Sequence, residues 1–225
     1  MPELLKVIDP ARLRQADEKL VKRYSDRLKI HGRDPRTLGW DGRQNQEARF
    51  AATLSQVATK GRSVLDVGCG LADFRAYLDR SHETRPGAYH GIDINEDLLA
   101  VCRDRFPADR FSRVNLLTGT PPEPADIVTM FGVLNFRFSA FDNRDFARAM
   151  IAKAFVLARD ALAVDMLSSA RDSSYPAEDF VYYYDPGEML NFALSLTPHV
   201  TLKHDHGSIP QREMVLILRR RAWTA

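Results

Sequence analysis

VLDVGCGLADF, from Val64 to Phe74, decides the reading: an apolar β-rich run passes into a glycine turn and then into a helix. Gly68 and Gly70 permit backbone angles and close approach that a Cβ would block. Amides at the start of the helix then face whatever binds there. A dinucleotide fingerprint has glycine at the sixth position of G-x-G-x-x-G, but here that position is Asp73. A pyrophosphate is also disfavoured beside both Asp66 and Asp73, whereas a ligand with cationic groups suits them.

A second element lies 23 residues beyond Gly70, where GIDI ends in Asp93 and Ile94. In doubly wound folds a carboxylate at about this spacing accepts hydrogen bonds from ribose hydroxyls. Ile94 would lie against the adenine. The alternative for Asp93 is a helix N-cap before NEDLLAVCRDRF. S-adenosylmethionine, a nucleoside with an ammonium, a sulfonium and no phosphate, satisfies both the acids and the glycine turn.

Outward from this pair, apolar runs alternate with helical patterns. The runs are SVLDV, AYHGIDI, RFSRV, ADIVTMF and ALAVDML, with helices expected near 71–80, 95–106 and 142–158. Such alternation implies parallel strands joined by right-handed crossovers. NLLTGTPPEP leaves room for only a short turn or helix between the third and fourth runs. At the end, VTLKHDH and EMVLILRR are too close together for a parallel crossover, which needs a dozen or more residues. These two strands should run antiparallel. The expected fold is α/β, a doubly wound, mostly parallel seven-stranded sheet with an antiparallel last strand and a helical N-terminal extension. Helices near 11–29 and 43–59 form that extension, so residues 1–60 are assigned to a helical cap or lid and 61–225 to the ligand-binding domain.

Bulk properties agree with one globular domain. The 225 residues are 44% hydrophobic and 28% charged. No apolar run approaches the roughly 20 residues that span a bilayer, and the first residues do not resemble a signal peptide. A cytoplasmic location is expected. A net charge of +2 is too small to argue for nucleic acid. Cys69 and Cys102 form no metal-ligand pattern, and no metal is expected.

With D-V-G-C-G at Asp66 to Gly70, Asp93 and the closing antiparallel pair, the sequence resembles the class I (Rossmann-like) S-adenosylmethionine-dependent methyltransferases of the small-molecule type over roughly Ser63 to Arg220. The resemblance implies S-adenosyl-L-methionine as cofactor and S-adenosyl-L-homocysteine as product. Asp66, Gly68, Cys69 and Gly70 would line the methionine portion and Asp93 the ribose. Asn115, with Leu116 beside it, falls where the family reads the adenine amino group; Asn115 equally suits a cap on the following turn. Phe131 and Gly132 occupy the methyl-transfer mouth. Ala72 stands where many members have a third glycine. The Asn/Asp-Pro-Pro-Tyr/Phe motif of exocyclic-amine methyltransferases is absent; FGVLNF replaces it.

The acceptor should meet residues beyond the carboxyl ends of the strands. Candidates there are Asn135, Phe136 and, in FVYYYDPGE, Tyr183, although such aromatic runs also serve as core. His204 and His206 are candidate general bases, or simply a polar strand end. From the N-terminal segment, Tyr24, Trp40 and Arg49 would enclose the acceptor or bind the cofactor carboxylate if that segment is a lid rather than a plain cap. Methylation of a small metabolite or biosynthetic intermediate is the first reading. An RNA or protein methyltransferase and a non-catalytic S-adenosylmethionine-binding protein are the alternatives.

Overall fold

The computed structural model describes residues 6–172, 176–205 and 213–222. Seven strands form one sheet: β1 (Ser63–Val67), β2 (Ala88–Asp93), β3 (Arg110–Arg113), β4 (Ala125–Met130), β5 (Ala158–Leu167), β6 (Val200–Lys203) and β7 (Glu213–Arg219). Their spatial order is β3-β2-β1-β4-β5-β7-β6. Pairings from β3 through β5 are parallel, whereas β7 runs antiparallel to both β5 and β6. Reversal of the last strand alone gives the expected mixed sheet.

Six α-helices flank it: α1 (Pro10–His31), α2 (Arg43–Leu54), α3 (Asp73–Leu78), α4 (Glu96–Arg105), α5 (Asn143–Leu157) and α6 (Pro186–Leu196). Side chains alternate across the strands, so Leu65 and Val67 face one layer and Val64 the other. The first layer is built on α5, α6 and the start of α1, the second on α2, α3 and α4. Helix α6 was not anticipated, although its start signal is conventional: Asp185 accepts the amide of Glu188 at 2.8 Å, and Pro186 takes the first helical position. Helix α5 passes into β5 without a loop, Leu157 being helical and Ala158 already in strand.

The two N-terminal helices behave differently. Phe50 of α2 is buried against Phe74 and Phe131, with ring centroids 5.1 and 4.8 Å away, so α2 is part of the core. In α1 only Leu13 and Ala16 are buried, both near its beginning. Its later turns are held by side-chain hydrogen bonds. Asn95 Nδ2 donates to the carbonyl of Val21 at 3.0 Å and to Ser25 Oγ at 3.1 Å, while Asn115 Nδ2 donates to Asp17 Oδ2 at 2.7 Å. Helix α1 thereby lies across the carboxyl ends of β2 and β3.

Candidate cofactor and acceptor site

The bend after β1 is left-handed at three positions, with φ of +71° at Gly68, +55° at Gly70 and +57° at Ala72. A Cβ at Gly68 would stand 2.4 Å from Val133, and one at Gly70 2.7 Å from Leu38, so both glycines are required by space as well as by angle. Ala72 occupies its angle without that freedom, at a cost of roughly 1–2 kcal/mol. The Asp93 carboxylate holds the bend. Asp93 Oδ2 accepts the amide of Gly70 at 3.0 Å, and its Oδ1 accepts that of Asn95 at 2.9 Å. The N-cap of α4 is Asn95, whose Oδ1 accepts from Asp97 and Leu98, so Asp93 does not serve as that cap.

Asp66 lies beneath the bend, almost fully buried, and accepts Thr129 Oγ1 at 2.8 Å and the Tyr89 hydroxyl at 2.5 Å. Burial outweighs these two bonds and pushes its carboxyl up to about 7. Asp66 and Cys69 border a small void beside Gln46 and Asp73 rather than the main cavity.

That main cavity, about 160 Å³, opens between the bend and α1. Of the residues expected at the cofactor, Gly68, Gly70, Asp93, Ile94, Asn115, Leu116, Phe131 and Gly132 line it. Of the two roles open to Asn115, the structure shows the turn cap. Its Oδ1 is taken by the amides of Leu117 and Thr118, capping the turn, and its amide nitrogen is spent on Asp17. The free acceptor at this end of the cavity is Asp17 Oδ1, on α1. Burial raises the Asp17 carboxyl, and the Asn115 bond opposes that rise. Leu20, Val21 and Tyr24 complete the α1 face of the cavity. The signal for Asp17 was a carboxylate at helical spacing among Leu13, Leu20 and Tyr24.

A second cavity of about 140 Å³ adjoins the first through shared walls at Tyr24, Trp40, Gly132 and Phe136. Asn135 and Arg49 border it too. Arg49 is buried, stacks over Trp40 at 4.1 Å, and pairs with Asp165 at 3.2 Å and with Glu213. Asp165 also accepts the amide of Gly132. Arg49 thus fixes the mouth from behind rather than standing free to bind a carboxylate.

Two nominations fall elsewhere. Tyr183 lines neither cavity; its hydroxyl accepts the amide of Glu178 at 3.2 Å, and its ring lies under Arg171. His204 lines neither cavity and bonds Ser168 Oγ at 2.7 Å, because β6 sits at the sheet edge beyond β7. His206 lies outside the described residues.

Residues 65–160 match a family model described as a methyltransferase domain. Over that stretch the chain is similar to methyltransferase domains, and its strand order is that of the class I methyltransferase fold. A fatty-acid O-methyltransferase of Mycolicibacterium smegmatis is 39% identical over 56 residues, a stretch covering 25% of this chain and 20% of that enzyme. The match therefore spans only a fifth of that relative's length. Magnesium protoporphyrin IX methyltransferase from Synechocystis, crystallised with S-adenosylhomocysteine, superposes with a TM-score of 0.63 at 15% identity, covering 90% of this chain and all of that one. A small RNA methyltransferase superposes at 0.58 and 14% identity, over 81% of this chain and 25% of its own. At these identities the structural likeness speaks for the fold.

S-adenosylmethionine is the methyl donor of such domains, and the cavity suits it. The glycine bend leaves backbone where a Cβ would collide, and Asp93 keeps lone pairs for ribose hydroxyls beside its two amides. Among the described residues no helix is long and apolar enough to cross a membrane.

Proposed function

We propose that this protein transfers the methyl group of S-adenosylmethionine to a small organic acceptor. The observation that carries the reading is the pair of adjoining cavities under α1, the second of about 140 Å³ and walled by Trp40, Phe136 and Phe180. The bound donor would supply an electrophilic methyl on a sulfonium. In this reading Asp93 holds the ribose, Asp17 accepts from the adenine amino group, and Asn115 orients Asp17. Gly132 and Trp40 form the neck through which donor and acceptor meet, and α1 excludes water. Residues 1–60 then divide into a cover, α1 with the turn after it, and a structural helix, α2.

An RNA substrate calls for a continuous basic groove, whereas the second cavity is bordered by Phe136, Phe180, Leu167 and Val181 together with charges of both signs. Calorimetric titration with S-adenosylhomocysteine, then incubation of labelled donor with small-molecule, RNA and protein fractions of a cell extract, tests the reading. Label in the small-molecule fraction supports it. Absence of S-adenosylhomocysteine binding overturns it, and label confined to RNA or protein overturns the acceptor class.

A further inference from the structure

The second cavity holds two hydrogen-bond donors with no protein partner. Arg23 of α1 stands with its guanidinium 5.8 Å from the ring centres of both Phe136 and Phe180, and among the described residues it makes no ion pair. Asn135 is fixed from the other side: its Oδ1 accepts the amide of Leu167 at 3.3 Å, which sets the amide's orientation. Its Nδ2 is left without a protein partner, on the Gly132 side of the cavity. The remaining charges there are accounted for. Arg49 is held by Asp165 and Glu213 together, Glu178 has a partner of its own, and Asp41, like Arg23, is exposed to water. Of the two candidate general bases, His204 lies outside the cavity and His206 lies outside the described residues.

We infer that the acceptor presents a carboxylate, held by Arg23 and Asn135 with its apolar remainder against Phe136 and Phe180, and that the product is a methyl ester. The inference rests on the reading of the joined cavities as a methyltransferase site. A guanidinium and an amide N–H are complementary to a carboxylate and repel an ammonium. The chemistry balances without a proton. A carboxylate oxygen lone pair forms the bond to the methyl carbon, the carbon–sulfur bond breaks, and its electron pair goes to sulfur. The negative charge on oxygen and the positive charge on sulfur disappear together. A nucleophile already ionised at neutral pH needs no general base.

The test uses the whole protein saturated with S-adenosylhomocysteine and four probes: octanoate and phenylacetate against octylamine and phenethylamine. The carboxylates are expected to bind at least tenfold more tightly by calorimetry, and Arg23→Gln to erase that preference while leaving S-adenosylhomocysteine affinity unchanged. With labelled donor, the bound carboxylate yields a product that releases labelled methanol in alkali, at a rate flat between pH 6 and 8.5. Equal or stronger binding of the amines overturns the inference, as does an alkali-stable product or none. Failure of S-adenosylhomocysteine itself to bind would instead remove the methyltransferase reading, so the two failures are distinguishable.

Discussion

Asn115 donates its side-chain amide to Asp17 across 2.7 Å, joining the loop after β3 to the middle of α1. The bond leaves Asp17 Oδ1 as a free acceptor at the end of the main cavity proposed for the adenine. Asp17→Ala is expected to weaken S-adenosylhomocysteine binding by about tenfold to a hundredfold, the range for a hydrogen bond to a charged group. The inosine analogue, which has no amino group to donate, should bind wild type and variant alike. If the variant discriminates between adenosine and inosine forms as well as wild type does, another group reads the base.

Asp93 carries two loads, so its removal should register in two measurements. Asp93→Ala is expected to weaken cofactor binding more than tenfold through lost ribose bonds. Because the amides of Gly70 and Asn95 lose their acceptor as well, the melting temperature should fall by several degrees. Unchanged affinity in a folded variant would remove Asp93 from the cofactor site.

Asp66 makes stability depend on pH. Its carboxyl titrates near 7 when folded, far above the ordinary carboxylate value, so folding favours the protonated form. Its contribution is therefore fully present below about pH 4 and is lost as pH rises to 7, by at most about 4 kcal/mol. Asp66→Asn should flatten the unfolding free energy across that window in denaturant titrations. Parallel pH profiles for wild type and variant would show that the Tyr89 and Thr129 bonds offset the burial.

Arg49 pairs with two buried carboxylates, and burial raises that of Asp165 despite the Arg49 charge and the Gly132 amide. Arg49→Ala should cost about 3–5 kcal/mol, or roughly 10 °C in melting temperature for a chain of this length. The loss should shrink towards pH 5, where protons can replace the missing cation. A pH-independent loss would assign the effect to the Trp40 stacking instead.

The central sheet was legible because Val64–Phe74, Asp93 and the short β6–β7 interval each constrain the backbone locally. Helix α6 is less legible because the aromatic run in FVYYYDPGE has no helical period of its own, although Asp185-Pro186 opens a helix. The cofactor residues on the bend could be located because glycine angles and a strand-end carboxylate are local properties. Asp17, Arg23 and the inert position of His204 depend on where α1 and β6 fall against distant segments, which residue types alone do not encode. The same limit applies to Arg49: its charge is visible in the sequence, but the partners that neutralise it, Asp165 and Glu213, are far away along the chain.

Helix α1 is gripped by hydrocarbon only at Leu13 and Ala16, while the stretch above the cavity is tied by polar side chains that water can replace. On the proposed reading, a nucleoside enters or leaves by parting these polar ties rather than by opening the core around Leu13 and Ala16.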